Sequence, residues 1–286
     1  MSPSDTLAFE DLRRLEELQE VERLEAEIWG PIDLVSVPMM VASLRRGGVL
    51  VGARDGRRLA GFVYSFPAFR PAGGGAGPQL THWSHMLGVH PDYRGAGLGR
   101  RLKLAQRERV LALGLDLIEW TFDPLQARNA HLNFGRLGVI VEEYEENVYG
   151  ESKSPLHGGL PTDRFICQWW IRRPHVLRRI EPAGLPVVSA DVASAPVVTR
   201  TEDAGVLRCV DVDLDCDEPR LAVDIPGDFT AMLTQAPAVA REWRMQTRRI
   251  FNHYLGRGYR VVDFRFDPEA GRGRYLLTTI RTGSTL

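Results

Sequence analysis

The sequence predicts an α/β fold in which helices pack on a mixed β-sheet. Three observations carry this. Residues 83–89 read as a strand that runs into a turn with three glycines, Gly95, Gly97 and Gly99, and then into a helix opening at about Leu98. Residues 116–122 alternate cleanly, with Ile118, Trp120 and Phe122 on one face and Leu117, Glu119 and Thr121 on the other. Strand-like and helix-like runs also interchange along the chain instead of segregating.

Taken in order, residues 1–6 are expected to fray and residues 7–15 to include a first strand. Residues 16–29 carry Val21, Leu24 and Ile28 at helical spacing with acids between them, an amphipathic helix with a solvated acidic face, stopped by Gly30-Pro31. Residues 38–46 read as a second short helix. Residues 49–53 and 59–66 are β-prone runs around an Asp55-Gly56 turn, which predicts a hairpin. Residues 71–78, rich in glycine and proline, read as a surface loop. After the motif strand, Leu98, Leu102 and Ala105 give the next helix its apolar stripe, and Gly114 supplies its stop. Residues 129–137 predict a short helix, and residues 139–149 and 164–171 two further strands.

The chain has 286 residues, of which 44% are hydrophobic and 26% charged, with a net charge of −1. That balance offers no field for nucleic acid or a membrane surface. The arginines of residues 241–249 alternate with apolar residues, as on a half-solvated helix. No apolar run approaches the roughly 18 residues of a membrane span, and the first residues are not signal-like. Cys167, Cys209 and Cys216 show no paired spacing, which points to a reducing cytoplasm, buried packing and no zinc site.

The glycine turn is where chemistry enters. Glycines at a strand-to-helix junction let several N–H groups converge, and the first helical turn adds unpaired donors and partial positive charge. Arg94, Arg100 and Arg101 surround it, so the corner suits phosphate. Neither the dinucleotide-binding G-x-G-x-x-G nor the P-loop ending is present. The pattern Arg94-x-x-Gly97-x-Gly99 resembles the R/Q-x-x-G-x-G/A signature of the GNAT superfamily of N-acyltransferases. The element order β-α-α-β-β-β-α-β-α-β-β is similar to that fold across residues 7–173.

The resemblance implies acetyl-CoA or another acyl-CoA as co-substrate, without a metal. It gives the pyrophosphate to Arg94, Gly95, Ala96, Gly97, Leu98, Gly99 and Arg100. It gives the thioester oxygen to backbone near Leu87 and Val89, and the pantetheine arm to Asn129. Leu137-Gly138-Val139 fits the family's helix-ending turn. The position of the usual proton-donating Tyr holds Phe134, which has no proton to give. Acceptor deprotonation is expected from His85 or Glu119, unless His85 is a hydrogen-bonded structural histidine and Glu119 an ion-paired carboxylate. Tyr144 or Tyr149 is a candidate replacement acid. Arg164 is expected either to hold a substrate carboxylate or to pair with Asp163. Cys167 suggests a covalent alternative but lies in an apolar run.

Residues 182–196, rich in Pro, Ala, Val and Ser, read as a linker or irregular crossing. Beyond them, residues 255–268 lie over residues 111–124, with Val262, Phe264 and Phe266 falling on Ile118, Trp120 and Phe122. This predicts two domains, 1–181 and 182–286. The second is a smaller, degenerate GNAT-like half-repeat that binds no coenzyme A. The expected function is transfer of an acetyl or succinyl group to the primary amine of a small molecule such as an amino acid. A protein or peptide N-acetyltransferase and a non-catalytic acyl-CoA-binding module are the alternatives. A homodimer is possible on this reading.

Overall fold

The computed structural model describes residues 7–32, 34–71, 77–150, 158–181, 190–203 and 205–279. The expected frayed N-terminus, most of the glycine-rich loop at 71–78 and the first part of the 182–196 linker lie outside the described residues. The chain divides into two compact units, Met1–Trp120 and Thr121–Leu286.

In the first unit the elements are β1 (Ala8–Asp11), α1 (Leu15–Trp29), α2 (Val37–Leu44), β2 (Val49–Asp55), β3 (Arg58–Arg70), β4 (Gln79–Val89), α3 (Leu98–Ala112) and the start of β5 (Leu117–Phe122). Every element expected up to residue 122 is present. The strands lie in the order β1-β2-β3-β4-β5, antiparallel through β4 and parallel between β4 and β5. Parallel strands need a crossover, and α3 supplies it. Leu18, Val21 and Leu24 of α1 and Met40 of α2 bury against Leu50, Phe62, Tyr64 and Met86. On the opposite face α3 buries Leu98, Leu102, Lys103, Gln106 and Val110.

The acidic face expected on α1 is not wholly solvated. Glu17 is buried because its carboxylate accepts the Arg13 and Arg14 N–H groups at 2.8 and 2.9 Å, closing the start of the helix. Glu25 is 3% exposed and accepts the Val35 N–H at 3.1 Å. Its position falls on the stripe of Val21 and Ile28, which already foretells burial.

In the second unit β5 ends and is followed by α4 (Ala127–Ala130), a π-helical segment (His131–Leu137), β6 (Ile140–Glu145), β7 (Arg164–Trp170) and α5 (Pro174–Ile180). The part of the linker that is described is not irregular. It forms α6 (Ala190–Ser194), whose Val192 buries with Ala222 and Leu276. Then come β8 (Thr199–Asp203), β9 (Leu207–Val212), β10 (Arg220–Pro226), α7 (Phe229–Gln235), α8 (Pro237–Gly256), β11 (Arg260–Asp267) and β12 (Arg272–Thr278). The larger sheet runs β7-β6-β11-β12-β10, all antiparallel, and β8 pairs with β9 alone. The expected strand-helix-strand run in the C-terminal third exists as β10, α8 and β11. It does not reproduce the β4-α3-β5 pairing, because β12 stands between β10 and β11 whereas β4 lies directly beside β5.

Candidate active site

The chemistry of the first unit gathers at the end of β4. Its register against β3 steps from Tyr64–Met86 to Ser65–Ser84, so His85 is the extra residue of a β-bulge. The bulge changes what each side chain faces. Ser84 points at α3 and accepts hydrogen bonds from Lys103 Nζ and Gln106 Nε2, both at 3.0 Å. Met86, two residues on, points the other way into the core under α1. In an unbroken strand the two would share a face. His85 itself is exposed, with its ring centroid 6.2 Å from Tyr64 and 5.7 Å from Phe66. The side of the ring turned to Tyr64 and Phe66 has lost solvent, which lowers the imidazole below its ordinary pKa and favours the neutral form that offers a lone pair.

On its other side β4 pairs with β5 only at His82–Ile118 and Trp83–Glu119, although β4 runs on to Val89. Leu87 and Val89 therefore lie on the stretch of β4 beyond that pairing. Glu119, on β5, is buried and meets Arg70 Nη1 at 3.4 Å.

After Val89 the chain turns through Pro91–Tyr93. Asp92 is paired with Arg58 at 2.8 Å, and the Tyr93 hydroxyl donates to Asp55 at 2.9 Å, which ties the turn to the β2–β3 hairpin. Arg94 is exposed, and its Nε donates to the Val89 carbonyl at 3.3 Å. Gly95 and Gly97 adopt φ of +83° and +73°, the left-handed region that a side chain disfavours. An added Cβ at either would meet no heavy atom within 4 Å. The corner is thus open as well as glycine-dependent. Gly97 caps α3, and the first helical bond is Arg101 N–H to the Gly97 carbonyl at 3.2 Å. The amides at 98–100 precede that bond, and the first turn carries no acid to compete with an anion.

Six residues singled out in the sequence lie in the second unit. Asn129 is exposed on α4. Phe134 is fully buried, its ring 6.2 Å from Phe122 and 5.7 Å from Tyr275. Tyr144 donates to Asp163 Oδ2 at 2.7 Å, and burial with that carboxylate holds its pKa well above the ordinary phenol value. A phenol so held is a poor acid. Arg164 does not pair with Asp163, whose oxygens are taken by Arg248 at 2.6 and 2.9 Å. Tyr149 is 56% exposed, and its hydroxyl lies 3.3 Å from Thr121 Oγ1. Cys167 is buried and unbonded to another cysteine.

Glu25 escaped the sequence reading as a titratable group. Burial pushes its carboxylate up to about 7, against the Val35 hydrogen bond that favours the charged form. Among the described residues no group of three or more His, Cys, Asp or Glu is placed to hold a metal ion. No described helix is long and apolar enough to cross a membrane.

No curated protein matches the chain. Among solved structures it is similar to the ribosomal-protein-S18-alanine N-acetyltransferase of Escherichia coli, at 15% identity over 57% of this chain and 92% of that one, with a TM-score of 0.44. It is similar to a GNAT-family acetyltransferase of Streptococcus pneumoniae, at 16% identity over 57% and 98% of the two chains, with a TM-score of 0.44. It is also similar to Arabidopsis thaliana NAA60 in complex with acetyl-CoA, at 17% identity over 58% and 100%, with a TM-score of 0.46. The assignment rests on the sequence model described as the Acetyltransferase (GNAT) family, which matches residues 10–137 and so covers the bulged strand, the glycine turn and α3. Residues 10–137 thus match the model of the GNAT acetyltransferase family.

Proposed function

We propose that the chain transfers an acyl group, acetyl or succinyl, from coenzyme A to the primary amine of a small molecule such as an amino acid. The observation that carries this is the continuous run in β4 and α3: a bulge presenting His85, strand backbone beyond the β5 pairing at Leu87–Val89, and an open turn of left-handed glycines capping a 15-residue helix. In this reading the amides at 95–99, with Arg94 and Arg100, hold the pyrophosphate, and Asn129 takes the pantetheine arm as the family resemblance implies.

The amine nitrogen attacks the thioester carbon, and its carbonyl oxygen gains charge as the C–N bond forms. A backbone donor between Leu87 and Val89 stabilises that oxygen, an interaction of about 3–4 kcal/mol in comparable sites. His85 accepts the amine proton. The C–S bond then breaks and the sulfur leaves as thiolate. With Phe134 in the core and Tyr144 bound to Asp163, departure proceeds without a phenol, which a thiol of pKa about 8.5 tolerates.

The three cysteines form no disulfide, which supports a cytoplasmic setting. We also read residues 1–181 as the acyl-transfer domain and 182–286 as an added domain without a coenzyme A site. Thiol release from acetyl-CoA and succinyl-CoA, measured over a panel of amino acids, other small amines and N-terminal peptides, tests the proposal. Turnover on amino acids or other small amines supports it. Turnover on peptides alone replaces it with peptide acetylation, and acyl-CoA binding without turnover replaces it with a binding module.

A further inference from the structure

Three guanidinium groups and three carboxylates crowd one region of the second unit, where Glu146 meets Arg248 Nη1 at 2.9 Å. Asp123 is closed by Arg244 through bonds of 3.0 and 2.5 Å, and it also accepts the Leu125 N–H. Asp163 is closed by Arg248, and it also accepts the Tyr144 hydroxyl and the Asn147 N–H. Both acids are therefore spent. Arg164 is the cation left over. Its Nε is buried without an acceptor, and it makes no hydrogen bond or ion pair among the described residues. Its one ring contact is the face of Tyr149, 5.1 Å from the guanidinium carbon.

A buried, unpartnered Nε is costly, because that donor has lost water and gained nothing. Burial accordingly pulls Arg164 below the ordinary arginine value, despite the nearby Asp123 and Asp163. We propose that Arg164 is the floor of an anion site that takes a compact carboxylate. The planar fork of an arginine matches the two oxygens of a carboxylate. The stacked Tyr149 fixes the plane of that fork, and its hydroxyl in turn lies 3.3 Å from Thr121 Oγ1. A single guanidinium without an acid of its own, with Asp123 and Asp163 close by, favours a monoanion over a phosphate dianion. Tyr149 is largely exposed, so the site opens to solvent.

The inference goes beyond the acyl-transfer reading, since it is tested on the full chain with no coenzyme A present. Thermal melting and calorimetry would use propionate and alanine as carboxylate probes, propionamide as the neutral control and inorganic phosphate as the dianion. The expected result is saturable stabilisation by the two carboxylates, none by propionamide or phosphate, and at least about a tenfold loss of carboxylate affinity in Arg164→Met. Arg164→Lys, which keeps the charge but loses the fork, should bind more weakly than wild type. The proposal is overturned if wild type shows no saturable response to carboxylates, if propionamide or phosphate acts equally, or if both variants bind carboxylate as wild type does. If Arg164→Met does not fold, the wild-type and Arg164→Lys titrations decide.

Discussion

Asp123 and Arg244, 121 residues apart in sequence, meet as a buried two-bond ion pair, with the Arg244 side chain only 3% exposed. A buried pair of this kind is worth little against apolar replacements, but breaking it strands the surviving charge. Asp123→Asn should therefore lower unfolding free energy by about 3–5 kcal/mol. The double variant Asp123→Leu with Arg244→Met should lose clearly less than the single change. Denaturant melts of the set measure both, and a double variant as damaged as the single one would show that the cost is not a stranded charge.

Gly97→Asp should abolish coenzyme A binding, because it sets a negative charge where the pyrophosphate is expected and forces a side chain onto a backbone at φ +73°. Gly97→Ala carries the backbone strain alone, about 1–2 kcal/mol, with space for its methyl group. Calorimetry should rank wild type, Ala and Asp in falling affinity. Equal affinities would remove the phosphate from this corner.

His85→Gln should lower kcat by about 10²–10⁴-fold if the imidazole takes the amine proton. A base must be unprotonated to work, and the His85 pKa lies below its ordinary 6.5. Activity should thus rise with pH through a point below 6.5 and stay flat across neutrality on account of this group. The variant should lose that acidic limb, and retention of the limb would assign it to another residue.

Tyr144→Phe should leave turnover nearly unchanged and cost about 1 kcal/mol of stability, since the phenol serves Asp163. A large fall in kcat with stability intact would return Tyr144 to the chemistry.

Glu25 has a folded pKa of about 7, above its ordinary 4.5. The proton is therefore held more tightly in the folded chain. The stability it lends is complete below pH 4.5 and is lost as pH rises through 7, by an amount on the order of 2–3 kcal/mol. Glu25→Gln should flatten this part of the profile and melt higher than wild type at pH 8. A variant that melts lower at pH 8 would show that the Val35 hydrogen bond outweighs the buried charge.

Much of the first unit was legible because its signals are local. The Asp55-Gly56 turn, the stripe of Leu98, Leu102 and Ala105, and the alternation at 117–122 each specify an element within a few residues. The glycine turn before α3 was legible for the same reason. The bulge at His85 was not, because the residues 83–89 read as one unbroken strand until β3 fixes the register. The fates of Glu119, Tyr144 and Arg164 were hidden for a different reason. Arg70, Asp163 and Arg248 decide them, and those partners come from sequence positions that no spacing rule connects. Glu25 was readable from its place on the apolar stripe, but a carboxylate there is ordinarily assigned to solvent. The short helix at 190–194 is made by Val192 finding Ala222 and Leu276, which composition alone does not foretell.

The extra residue at position 85 also leaves Ser84 and Met86 standing as adjacent strand residues would, on opposite faces of the sheet. Removing that one amino acid would join 84 to 86 with the pairs Ser65–Ser84 and Tyr64–Met86 in unbroken register, and Met86 would keep its place beneath α1. What such a deletion takes away is the outward-facing imidazole, so it should spare the fold and cost activity much as His85→Gln does.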